Sequence, residues 1–105
     1  MENGVKFKET ENGLVAALSG EIDHHAAKGE REEIDKMLFL KKPSNLILDF
    51  SEVGFMDSSG IGLIIGRAEV ASEIGAGVSI VGLSPSQKKL VRLSGIEKIK
   101  GLTIE

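Results

Sequence analysis

The sequence has no cysteine, no tryptophan and no tyrosine, and only two prolines and four phenylalanines in 105 residues. Without cysteine there is no disulfide, no thiolate-held zinc or iron–sulfur cluster and no thiol nucleophile. So few aromatic side chains leave no platform on which nucleic-acid bases could stack. A net charge of −3 lacks the basic face of a nucleic-acid binder, so no nucleic-acid partner is expected. No apolar run approaches the roughly 20 residues of a membrane span. The N-terminal stretch MENGVKFKET has no signal-peptide apolar core. The expectation is a cytoplasmic chain with no membrane partner. What is present is a hydrophobic content of 41 %, enough to build a core, and one domain is expected over residues 1–105.

The apolar pattern orders the chain into alternating elements. Residues 5–9 and 14–19 read as short strands, and Asn12-Gly13 between them tolerates the positive φ of a tight hairpin. A helix is expected from His24 to about Leu40, with Asp23 as N-cap and Ile34, Met37 and Leu38 as its buried face. Pro43 ends it, and the acidic run from Glu30 to Asp35 reads as its wet face. NLILDF (45–50) lacks clean alternation and reads as a strand buried on both faces, followed by the connection SEVGFMD. Ile61, Ile64, Ile65, Ala68 and Ala71 recur at helical spacing, which predicts a helix from about Ser58 to Ile74, stopped by Gly75-Ala76-Gly77. Residues 78–83 form a further buried strand. Ser84-Pro85-Ser86-Gln87 supplies an N-cap, a first-turn proline and a capping-box glutamine for a helix that closes at Gly95. Residues 99–104 read as a last short strand. The order β-β-α-β-α-β-α-β predicts an α/β fold with a mixed, mostly parallel sheet of four to five strands, the first strand antiparallel at one side.

In such a sheet the functional loops lie beyond the carboxyl ends of the parallel strands. Two of them are polar here, GEIDHH (20–25) and DSSG (57–60), and they should share a rim. Asp57 or Ser58 can cap the helix that follows, a contribution of about 1 kcal/mol. Capping does not account for Gly60, Gly62 and Gly66, since each interior glycine costs a helix roughly 1 kcal/mol relative to alanine. Gly66 fits close packing on the sheet, whereas Gly60 at an exposed tip suggests a face that another molecule approaches. A phosphate cradle is a second reading, although no GK[ST] follows and Asp57 would meet the anion. Ser58 or Ser59 with His24 or His25 and Asp23 or Asp57 contains the letters of a hydrolytic triad, but the G-x-S-x-G elbow is absent. Asp23-His24-His25 spells a motif of paired-metal phosphoesterases, yet these are the only two histidines in the chain. A serine hydroxyl at an exposed helix start is also a phosphoacceptor, where a phosphate would add about −1.5 to −2 charges. Lys88, Lys89, Arg92, Lys98 and Lys100 read as solvated, dipole-matched cations.

The segments LSGEIDHH (18–25), LILDFSEVGFMDSSGIGLIIGR (46–67) and GVSIVGLSPSQKKLVRLSGIEKI (77–99) cover most of the chain in order. With them the chain resembles the anti-sigma factor antagonists of the STAS-domain family, and GEIDHH points to their sporulation branch. The resemblance implies a mixed sheet flanked by helices, a protein that is not an enzyme, and no cofactor or metal. It implies phosphorylation on Ser58, the serine directly after the motif aspartate. The kinase would be the anti-sigma factor itself, an ATPase of the histidine-kinase-like class. Unphosphorylated antagonist would bind that kinase and release the sigma factor, and a serine phosphatase would reset the switch. Asp23, His24, Asp57, Ser59, Gly60 and Ile61 carry over as partner contacts, and a monomer is expected. Alternatives are a STAS module of a stress-response or sensor pathway, or a small hydrolase using Ser58, His24 and Asp23. Family members often continue into a C-terminal helix, while this chain ends GLTIE.

Overall fold

The structure is a computed structural model and describes residues 3–105, so Met1 and Glu2 of the N-terminal stretch lie outside the described residues. Strands β1 (Gly4–Thr10) and β2 (Gly13–Ile22) form the expected hairpin, but its turn is Glu11-Asn12 rather than Asn12-Gly13: Gly13 (φ +138°) already pairs with Thr10 in β2, and Asn12 does not take a positive φ. Helix α1 (His24–Lys41), strand β3 (Asn45–Met56), helix α2 (Ser58–Glu73), strand β4 (Gly77–Val81), helix α3 (Pro85–Ser94) and strand β5 (Leu102–Ile104) follow. A single 3₁₀ turn, Ile96–Lys98, joins α3 to β5. The sheet order is β1-β2-β3-β4-β5, with β1 antiparallel and the other neighbours parallel. The element order and the antiparallel first strand agree with the sequence pattern.

A sheet that grows in one direction through right-handed crossovers carries its helices on one face. Burial follows that rule. Leu46, Leu48 and Phe50 of β3 are buried, while the intervening Ile47 and Asp49 are only half-buried. β2 and β4 alternate in the same way, with Leu14, Ala16 and Leu18 inside and Val78 and Ile80 inside. The expectation that residues 45–50 and 78–83 are buried on both faces is therefore corrected. One face is covered by helices and the other is partly open, so a run of apolar residues here hides a period of two.

Boundaries also move: β4 ends at Val81 rather than at residue 83, and β5 begins at Leu102 rather than at residue 99. Gly20, Glu21 and Ile22 continue β2 rather than forming a loop, and Ser51 to Met56 continue β3 rather than connecting it. The two extensions pair with each other, Glu21 with Phe55 and Ile22 with Met56. Register shifts between Ala17 and Ser19 and between Gly20 and Glu21 mark bulges, and Gly20 takes φ +85°, where a side chain would strain the backbone.

The helix ends follow their sequence signals. Asp23 caps α1 and Asp57 caps α2, while Ser84 and Gln87 form the full capping box of α3, with Pro85 in its first turn and Gly95 in the left-handed region at its end. The acidic run of α1 is not uniformly wet. Arg31, Glu32 and Glu33 are exposed, but Glu30 is only 4 % exposed and Asp35 turns inward to Arg67 of α2. An 18-residue helix lying across a sheet must turn some polar positions inward when the chain supplies no apolar residue there.

Candidate functional site

The rim is built from the paired ends of β2 and β3. The Asp57 backbone N–H donates to the Ile22 carbonyl at 3.2 Å, which sets the starts of α1 and α2 side by side. At the first start, Asp23 Oδ1 accepts from the Ala26 N–H at 2.8 Å. At the second, Asp57 Oδ1 accepts from the Ser59 N–H at 2.7 Å, and the Asp57 carbonyl accepts from the Gly60 N–H at 2.9 Å. Asp57 thus caps the first turn of α2, which Ser58 opens. Ser58 is exposed, and its hydroxyl has no hydrogen-bond partner among the described residues.

The remaining sequence candidates divide by depth. His24 lies exposed on the rim, and Asp23, Asp57 and Ser59 are half-buried. Gly60 and Ile61 are buried beneath it. A Cβ on Gly60 would lie 2.8 Å from Met56 Sδ, so a side chain here would have to push Met56 aside. Gly62 is exposed and Gly66 half-buried, and a Cβ on either would meet nothing within 4 Å. The expectation of an exposed Gly60 and a closely packed Gly66 is reversed. The cause is the β3 extension, which brings Met56 against the first turn of α2.

The same geometry bears on the other chemical readings. A phosphate cradle needs free backbone donors, but the Ser59 and Gly60 N–H groups already serve Asp57. A triad needs an imidazole between Ser58 and a carboxylate. Neither His24 nor His25 makes such a bond among the described residues, and Asp23 Oδ1 is engaged by α1. Among the described residues no three His, Asp or Glu side chains come together as a metal-ligand set.

Three features escaped the sequence pattern. Phe55 is 54 % exposed at the end of β3, two residues before Asp57. Val53 and Met56 are buried on either side of the exposed Gly54 and Phe55, so the period of two is broken at the end of β3. Arg67 is buried and grips Asp35, with Nε 2.6 Å from Oδ1 and Nη2 donating to Oδ2 at 3.1 Å. Burial pulls the guanidinium pKa down, and Asp35 pulls it back up. Glu30 has neither carboxylate oxygen hydrogen-bonded among the described residues. Burial, and then Glu33 and Asp23, push its pKa up from 4.5 to about 7, against a smaller opposing pull from the Gly4 backbone. No one-dimensional pattern signals these three, because each depends on what the tertiary structure packs against it.

Comparison with known proteins agrees with this architecture. Residues 5–104 match the STAS domain family. The chain belongs to the STAS-domain family, and within it to the branch of the anti-sigma factor antagonists. An anti-sigma F factor antagonist of Paenibacillus polymyxa is 33 % identical over 86 residues, 82 % of this chain and 74 % of that protein. The anti-sigma-B factor antagonist of Bacillus subtilis is 28 % identical over 97 % of this chain and 89 % of that protein. Among solved structures, the anti-sigma factor antagonist SpoIIAA in its unphosphorylated form superposes with a TM-score of 0.73 at 26 % identity, covering 97 % of this chain and 87 % of that one. The phosphorylated form of the Bacillus cell fate determinant SpoIIAA gives 0.72 at 28 % identity, covering 97 % and 91 %.

Proposed function

We propose that this protein is an anti-sigma factor antagonist switched by phosphorylation of Ser58. The observation that carries the reading is the exposed, unpartnered Ser58 hydroxyl at the first position of α2, in a turn that Asp57 caps. Its relatives include a protein known in both unphosphorylated and phosphorylated forms. The unphosphorylated rim docks an anti-sigma factor that is also an ATP-dependent serine kinase, and the sigma factor is released. Phe55 supplies an apolar anchor, as exposed aromatics do at interfaces. Asp23, His24, Asp57 and Ser59 surround the acceptor, and Gly60 and Ile61 shape the backbone under it.

The chain performs no catalysis in this scheme. The kinase positions its nucleotide so that the Ser58 oxygen attacks the γ-phosphorus in line, the bond from that phosphorus to the bridging oxygen breaks and ADP leaves, and the proton of the hydroxyl passes to a base of the kinase. The α2 dipole favours the new phosphate while Asp57 and Asp23 oppose it. A net change of only about 1.4 kcal/mol lowers partner affinity tenfold. A serine phosphatase in the cytoplasm restores the hydroxyl.

The test is intact mass after incubation with ATP and the anti-sigma F factor of Paenibacillus polymyxa. One added phosphate is expected on the wild type and on Ser59→Ala, and none on Ser58→Ala. Phosphate retained on Ser58→Ala overturns the assignment.

A further inference from the structure

Helix α3 has two unlike faces. Gln87 and Val91 are buried, and Gln87 Nε2 donates to the Val53 carbonyl at 2.9 Å, tying the helix to β3. On the other face Pro85, Lys88, Lys89, Arg92 and Leu93 join Leu83 around a surface groove of about 440 Å³. Leu93 is 77 % exposed, more than any other large apolar side chain among the described residues. Lys88, Lys89 and Arg92 have no ion-pair partner among the described residues, and no carboxylate lines the groove. In a chain of net charge −3 this is a local reversal of sign.

The groove has the wrong walls for an enclosed small molecule. Its lining comes from one helix and a residue just before that helix, whereas small-molecule sites converge from several elements. It runs instead along α3, and Pro85 to Leu93 spans about 12 Å at the helical rise. Lys88 and Arg92 stand one turn apart, with apolar residues at both ends. Complementarity therefore calls for carboxylates one turn apart and a large apolar side chain on the same face of a second helix.

We propose that the α3 groove docks an acidic amphipathic helix of a second protein. Lys88, Lys89 and Arg92 pair with its carboxylates, and Leu83 and Leu93 receive its apolar side chain. None of the groove residues belongs to the Ser58 rim, so this surface is a second contact and does not rest on the phosphorylation reading.

Selection of random dodecapeptides displayed on phage against the whole chain tests the occupant. Enriched peptides are expected to carry two carboxylates one turn apart with Leu, Ile or Phe between or beside them. A synthetic peptide from that pool should lose at least tenfold in affinity for the Lys88→Glu/Arg92→Glu double variant and for Leu93→Ser. It should bind Leu40→Ser, an exposed apolar site on α1, like the wild type. Amide shifts of the labelled protein on peptide addition should fall on residues 83–93. If the charge-reversed variant melts early, Lys88→Gln/Arg92→Gln is read in its place. Peptides without acidic residues, equal binding to the variants, or shifts centred on residues 57–60 would overturn the proposal. So would phosphatidylglycerol vesicles that sediment the wild type but not the double variant while no selected peptide depends on the cations, since the groove would then face a lipid surface.

Discussion

Helices α1 and α2 begin alike and are seated differently. Each starts beside the other on an aspartate N-cap at the end of a parallel strand. Yet α1 buries only Ala27, Glu30, Ile34 and Leu38 in 18 residues, one of them a carboxylate without a hydrogen bond. α2 buries Gly60, Ile61, Leu63, Ile64, Arg67, Ala68 and Ala71 in 16. Its first turn rests on Met56 and its middle is fastened to α1 through Arg67 and Asp35. The candidate phosphoacceptor stands on the helix with the firmer seat. In-line transfer demands a hydroxyl at a defined place, and a site on a packed helix is held more closely than one on a loop.

The largest effect expected comes from cutting the tie between the two helices. Arg67→Ala leaves Asp35 charged and unpaired in a half-buried position, and should lower stability by about 3 kcal/mol or more in urea denaturation. An unchanged midpoint would mean that α2 is seated by its apolar contacts alone.

Next comes the unpaired carboxylate of α1. Because Glu30 titrates at about 7 in the folded chain against an ordinary 4.5, the folded state holds a proton that the unfolded state has released between those values. Stability should be highest below about pH 4.5 as far as this group is concerned, fall as pH rises, and level off above 7. The total loss is on the order of 3 kcal/mol. Glu30→Gln should flatten that slope in urea midpoints taken from pH 5 to 8, and a slope that persists would locate it elsewhere.

At the rim itself, Phe55→Ala should weaken binding to the anti-sigma factor about tenfold, roughly 1.4 kcal/mol, as measured by titration calorimetry. His24→Ala, at the start of the more loosely seated α1, should change it less. A reversed order would move the centre of the docking surface from β3 to α1.

The smallest effects are a pair of opposite sign within one helix. Gly60→Ala pushes a methyl against Met56 and should destabilise by about 1 kcal/mol. Gly62→Ala meets open space in a helix interior and should stabilise by up to about 1 kcal/mol. Thermal melts of the two variants moving the same way would contradict the packing difference.

Much of this was legible in one dimension because its causes are local. The capping box at Ser84 and Gln87 and the aspartate N-caps act over three or four residues, and a sequence displays such spacings directly. The candidate site was legible for the same reason, since Asp57 and Ser58 adjoin in the chain. The strand ends were less so. Gly20-Glu21-Ile22 and Ser51 to Met56 carry loop-like residues, and they extend because each pairs with the other across the sheet.

The sequence by itself determined the order of the elements, the caps, and the serine placed at the start of α2, since these rest on propensities and hydrogen bonds within a few residues. Tertiary structure alone decided which glycine is packed, which face of the sheet is covered, that Arg67 meets Asp35, that Glu30 is buried, and that α3 leaves Leu93 in water among cations. Each of those depends on desolvation and contact between residues distant in the chain, and the free energy of burying a group is set by what lies against it.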